Sequence, residues 1–231
     1  MPSVRFEVFP DRQAASDAAA VLLAEGLAAG LAGGGRASLV VSGGSTPGPC
    51  FNTLSHADLD FSRVDVVPSD ERWVPADHPD SNERLVREQL LRHAAAPANY
   101  VSLVTEHGLP EPGLPEVSAR LAAMTRPLDA VLLGMGGDGH FASLFPDFDG
   151  LAAGLDPQGE ALCLAVRTAA SPHPRISLSL SLLLDARGIV ILMFGEDKRR
   201  VFEAAAAGQG NYPVAALLGQ SRTPVTIAWA A

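Results

Sequence analysis

Cysteine is scarce in this chain of 231 residues: Cys50 and Cys163 are the only two. That is too few for a disulfide framework or a thiolate zinc site, and it points to a reducing compartment. Lysine is scarcer still, with Lys198 the single example. Lys and Arg together number 17 against 26 Asp and Glu, a net charge of -9. Such a balance excludes a broad basic face for a nucleic-acid backbone. Any anion site must be assembled locally, from a few cations and backbone N–H groups. The segment Met1–Glu7 lacks the basic start and apolar core of a secretory signal. The longest apolar stretch, Ala18–Leu31, is broken by Glu25, Gly26 and Gly30, so no bilayer-spanning segment is expected. These absences predict a cytoplasmic protein that binds neither membrane nor nucleic acid.

What remains is the composition of a packed protein, 47% hydrophobic and 19% charged. Short apolar runs at Ser38–Val41, Val64–Val67, Ala130–Leu133, Leu162–Val166, Ile189–Phe194 and Val225–Trp229 read as buried strands. Arg5–Phe9 alternates like a strand. Helical stretches separate them: one capped by Asp11 and reaching about Leu31, one from Ser81 or Asn82 to about Arg92, a short one over Glu116–Met124, and one over Glu196–Ala207. Pro97–Pro115 is rich in Pro and Gly and reads as loop, with a strand considered at Tyr100–Val104. The stretch Pro146–Gly159 reads as an active-site loop. Strands alternating with helices predict an α/β fold with a mainly parallel sheet, in a single domain over residues 1–231.

Three stretches carry chemistry. Ser42-Gly43-Gly44-Ser45-Thr46-Pro47 follows a strand; its glycines free backbone N–H groups to converge on an anion, and its hydroxyls add donors. Read alone, the same residues serve equally well as a tight turn. No Gly-Lys-Ser/Thr follows, so this is not a Walker loop. Gly134-Met135-Gly136-Gly137-Asp138-Gly139-His140 follows another strand and matches Gly-x-Gly-x-x-Gly literally. However, Pro146 leaves about two turns for a helix where a dinucleotide site needs a long one. What the loop offers is Asp138 beside His140, a carboxylate able to fix an imidazole's tautomer for general-base work. Asp70-Glu71-Arg72-Trp73-Val74-Pro75 supplies a guanidinium suited to phosphate. The other five histidines show no metal-ligand spacing along the chain, and no metal is expected.

Together these stretches resemble one family, the 6-phosphogluconolactonases of the glucosamine-6-phosphate isomerase group. The matching pieces are Ser42–Pro47, Asp70–Pro75 with Ser81-Asn82, and Gly134–His140 running into Ala142-Ser143-Leu144-Phe145-Pro146. Weaker echoes are Pro174–Leu178 and Gly195 with Lys198. The resemblance implies a three-layer α/β/α Rossmann-like sandwich. It also implies hydrolysis of 6-phospho-D-glucono-1,5-lactone to 6-phosphogluconate in the oxidative pentose phosphate pathway, without metal or organic cofactor. Carried over by position, His140 is the base and Asp138 its orienter. Gly43, Gly44, Ser45, Thr46, Arg72, Arg175 and Lys198 become substrate and phosphate contacts, and Asp70 lies near the sugar hydroxyls. A monomer or homodimer is expected. Phe141 replaces a smaller or β-branched residue and is expected to shape the pocket wall. The sister deaminases place a Glu immediately before the proline, where Phe145 stands here. A lactone is already a closed ester and needs no ring-opening acid, which favours lactonase over deaminase. The glycine pattern alone would suit a nicotinamide-dependent oxidoreductase, and a non-catalytic sugar-phosphate sensor would normally carry a DNA-binding or partner module, for which the sequence offers no basic recognition helix.

Overall fold

The computed structural model describes residues 4–169 and 171–231. Its centre is a parallel sheet of seven strands: β1 (Val4–Val8), β2 (Ala37–Val41), β3 (Val64–Pro68), β5 (Asn99–Tyr100), β6 (Ala130–Leu133), β9 (Ile189–Phe194) and β10 (Val225–Ala230), in the order β1-β10-β9-β6-β2-β3-β5. Alternate residues of the central strands feed two separate cores. Val40, Val131 and Ile191 face one, while Leu39, Leu132 and Val190 face the other. Strands buried on both faces are continuous apolar runs for this reason.

Helices α1 (Arg12–Leu31), α2 (Gly48–Leu54) and α3 (Asn82–Gln89) cover one face through Leu23, Leu27, Phe51 and Val86. Helices α4 (Pro110–Ala122), α7 (Glu196–Ala206) and α8 (Val214–Leu218) cover the other through Val117, Leu121, Phe202 and Leu217. Short helices α5 (Leu151–Gly154) and α6 (Leu180–Leu183) complete the set. The result is the expected three-layer α/β/α sandwich.

The caps read from sequence are in place. Asp11 accepts from the Ala14 amide at 2.8 Å, and Ser81 accepts from the Arg84 amide at 3.2 Å. Helix α1 spans 20 residues and is long and apolar enough to cross a bilayer, contrary to the expectation from its interruptions. Here it lays Ala15, Ala19, Leu23 and Leu27 against the sheet. Helix α4 begins at Pro110, six residues before the expected start. Pro110 and Pro112 occupy its first turn, where a missing N–H costs little, and only Pro115 lies deeper.

A second sheet was not foreseen. β4 (Asp70–Arg72), β7 (Cys163–Val166) and β8 (Arg175–Leu178) form an antiparallel trio in the order β4-β8-β7. Leu162–Val166 is therefore a strand outside the parallel sheet, and the charged run at 70–72 is a strand, not a loop. Ser69 joins the two sheets: its amide donates to Val41 at 2.7 Å, and its carbonyl accepts from Leu178 at 2.9 Å.

Candidate active site

Chain order reverses between β2 and β6: from β2 the sheet builds outward to β3 and β5, and from β6 it builds the other way to β9 and β10. Ligands of open parallel sheets bind at such a switch, beyond the carboxyl ends of the strands. Both glycine loops leave there, one from each strand. Between them lies a cleft of about 250 Å³, smaller than sites for drug-sized ligands (~300–1,000 Å³) and suited to a small metabolite.

Gly43, Gly44, Ser45, Thr46, Asp70, Arg72, Arg175, Lys198 and His140 all line this cleft. Asp138 sits behind His140. Its Oδ1 accepts from His140 Nδ1 at 2.5 Å and from the His140 amide at 3.2 Å. A carboxylate can only accept, so Nδ1 carries the proton and the Nε2 lone pair is left for chemistry. The loop closes on itself through Gly136 N–H to His140 O at 2.8 Å and Gly139 N–H to Gly136 O at 3.1 Å. Position 136 must be glycine, because a Cβ there would lie within 2.7 Å of Asp138 Oδ1 and closer still to the imidazole. The ring also packs on Phe145, with centroids 4.1 Å apart.

Across the cleft, Gly44 takes a left-handed φ of 85°, the kind of backbone turn from which successive amides can form an anion-binding nest. Among the described residues, the N–H groups of Gly43–Thr46 donate to no protein acceptor. Gly43 also makes room for Asn82, whose side-chain amide a Cβ at position 43 would strike. Asn82 donates to the Asp70 carbonyl at 2.7 Å.

The cations come from different elements. Arg72 on β4 and Arg175 on β8 stand directly opposite in the antiparallel register. Like charges so placed repel, and an anion between them would offset that cost. Arg175 is already engaged: Nη1 reaches Asp70 Oδ2 and Ser143 Oγ, each at 3.3 Å, and Nε donates to Ser171 Oγ at 2.9 Å. Burial lowers its pKa from the usual guanidinium value, against the pull of Asp70. Ser143 Oγ donates to Asp70 Oδ2 at 2.5 Å. Arg72 gives Nη1 to the Asp80 carbonyl at 2.5 Å, while its buried Nε has no partner. Lys198 lies in the first turn of α7, the end of a helix that disfavours cations. Burial pushes its pKa down, and no carboxylate pairs with it among the described residues.

Beneath the cleft, Glu71 is 1% exposed. It accepts from the amides of Arg72, Asn82 and Glu83 at 2.8, 2.7 and 2.6 Å. Burial nevertheless pushes its carboxyl up to about 7. Glu71 thereby ties β4 to the start of α3, which fixes Arg72 relative to Asn82.

Two expectations fail. Phe141 does not shape the pocket wall: it is 1% exposed within the core, and Ala142 faces the cleft instead. The stretch 146–159 does not line the cleft, and Asp147 accepts from Thr168 on the loop after β7. Asn82, Ser143 and Ser69 were missed as site residues; only the Ser81-Asn82 pair and the Ala142–Pro146 string hinted at them. Spacing also concealed a cluster of His78, Asp80 and His173, which the fold brings together outside the cleft.

This is the fold and cleft of a sugar-phosphate enzyme class: the family described as glucosamine-6-phosphate isomerases/6-phosphogluconolactonase matches residues 10–228, and the chain belongs to it. Within that family, it is 41% identical to a 6-phosphogluconolactonase of Mesorhizobium japonicum, over 99% of this chain and 96% of that one. It is 40% identical to a 6-phosphogluconolactonase of Pseudomonas aeruginosa, over 89% and 90% of the two chains. A crystal structure of a 6-phosphogluconolactonase from Shewanella baltica superposes with a TM-score of 0.94 at 39% identity, covering 99% of this chain and 98% of that one.

Proposed function

We propose that this cleft hydrolyses 6-phospho-D-glucono-1,5-lactone to 6-phospho-D-gluconate, the activity for which the relatives are named. The observation that carries the proposal is the Asp138–His140 pair sharing one small cleft with unpaired N–H groups and cations. The 6-phosphate docks on the Gly43–Thr46 amides with Arg72 and Lys198. Arg175, already committed to Asp70, Ser143 and Ser171, positions Asp70 toward the sugar hydroxyls.

His140 Nε2 takes a proton from water as the water oxygen bonds to C1. The carbonyl electrons move onto its oxygen, and their return breaks the bond from C1 to the ring oxygen. That ring oxygen recovers the proton from His140, so one water is added across the ester and no metal or redox partner is consumed. Asp138 stabilises the imidazolium between the two transfers. General acid–base help of this kind contributes ~10²–10⁴-fold. The Gly136, Gly139 and His140 amides are engaged within their own loop, so the developing oxyanion is met by a cation of the cleft or by the Gly137 or Asp138 amide of the same loop.

Phe145 supports lactonase over deaminase, since the residue packed on His140 cannot exchange a proton. Packing of α1 into the core supports a soluble enzyme over one anchored through that helix. Freshly prepared phosphogluconolactone followed by acid release should disappear faster with the protein than without it. Ammonia release from glucosamine 6-phosphate, with no effect on the lactone, would reverse the assignment.

A further inference from the structure

His78, Asp80 and His173 present one ligand atom each, all within 4.8 Å of one another. We propose that they bind a divalent first-row transition metal of the zinc type, which fastens the turn before α3 to the entry of β8. The proposal does not depend on which substrate the cleft hydrolyses.

The chemistry of the donors sets the ion. Two imidazoles and one carboxylate form a three-ligand set that zinc accepts, with water in the fourth position. Imidazole nitrogen discriminates against magnesium and calcium. His173 Nε2 stands 3.1 Å from Asp80 Oδ2, and His78 Nδ1 stands 3.9 Å from the same oxygen. Ligands at zinc distances in a tetrahedron are ~3.3 Å apart. The first pair already meets that spacing, and the second closes by rotation of side chains that are 34% and 53% exposed. The imidazoles meet edge to face, with centroids 5.3 Å apart, leaving both rings able to turn toward a shared ion. His78 Nδ1 accepts the Asp80 amide at 3.1 Å, which keeps that nitrogen unprotonated, as ligation requires. A metal there replaces two hydrogen bonds, Asp80 N–H to His78 Nδ1 and His173 Nε2–H to Asp80 Oδ2, and the His173 Nε2 proton is released to solvent on ligation. Asp80 is half exposed, so the fourth position opens to water.

The location gives the site a consequence. Asp80 carries the carbonyl that holds Arg72 Nη1, and His173 precedes Arg175 by two residues. The end of β4 already meets the entry of β8 through Trp73 N–H to Pro174 O at 2.8 Å. An ion bridging Asp80 and His173 pins the opposed pair of cleft arginines from behind without touching the cleft.

The test uses the untagged full chain and zinc chloride alone, by calorimetry near neutral pH, with cobalt(II) absorption as a second readout. The expected result is one saturable site with the visible bands of a low-symmetry, four-coordinate ion. It weakens at least ~10-fold, the low end for loss even of an outer-shell partner, in H78Q and again in H173Q. His140→Gln, which removes the other carboxylate-paired imidazole, should leave it unchanged. If either histidine variant fails to fold, D80N carries the same comparison. Absence of saturable binding overturns the proposal. So does affinity unchanged in H78Q/H173Q, or affinity lost in H140Q instead.

Discussion

Adding one methyl group at position 136 should disable the site without unfolding it. A Cβ on Gly136 would fall 2.7 Å from Asp138 Oδ1 and inside 3.0 Å of His140 Nδ1 and Cε1, where ordinary contact begins at 3.4 Å. The ring must therefore retreat by about 1 Å, and a displacement of that size at a reacting group costs ~10²-fold in rate. Gly137 is the internal control: it belongs to the same loop, and a Cβ there meets nothing within 4 Å. Lactone hydrolysis by Gly136→Ala and Gly137→Ala, with melting temperatures alongside, separates geometry from stability. The first variant should lose about two orders of magnitude in kcat, and the second should stay near wild type. Wild-type turnover in a folded Gly136→Ala would refute the requirement for this ring position.

Two other perturbations probe the charges. Lys198→Met removes a cation that has no carboxylate partner among the described residues, so it should raise KM more than it lowers kcat. A charge-assisted hydrogen bond of ~1.5–3 kcal/mol corresponds to roughly 10–150-fold, and an unchanged KM would move phosphate binding elsewhere. Glu71 predicts a pH dependence of stability. Burial raises its carboxyl from 4.5 to about 7 in the folded state. Between those values the folded chain holds a proton that the unfolded chain releases. Its contribution is full below 4.5 and is lost as pH rises through about 7. Urea unfolding of wild type against Glu71→Gln should show wild type losing roughly 2–3 kcal/mol relative to the variant between pH 5 and 8. Parallel stability curves would contradict this.

The parallel sheet was legible because strands buried on both faces have nothing polar to interrupt them, as at Leu39–Val41 and Ile189–Met193. Helix α1 was legible through its Asp11 cap. Only the second half of helix α4 was, since Pro110, Pro112 and Pro115 mimic a loop although two of them sit in the first turn. The second sheet was hidden for a different reason. β4 is Asp-Glu-Arg, charged because it faces the cleft and the Glu71 network, and its partner strand lies about a hundred residues away. The glycine loops and His140 announced themselves by local pattern. Ser143 and Asn82 did not: each is one polar residue whose role comes from a bond to Asp70, 73 and 12 residues distant. Distance along the chain likewise separated His173 from Asp80, 93 residues apart.

The central claim is that His140, held by Asp138, activates water against a phosphorylated lactone. Steady-state hydrolysis of 6-phosphogluconolactone by wild type and His140→Ala, with 6-phosphogluconate binding measured on both, tests it most directly. The account predicts a ~10²–10⁴-fold loss of kcat with product binding retained. Undiminished turnover in the variant would contradict it.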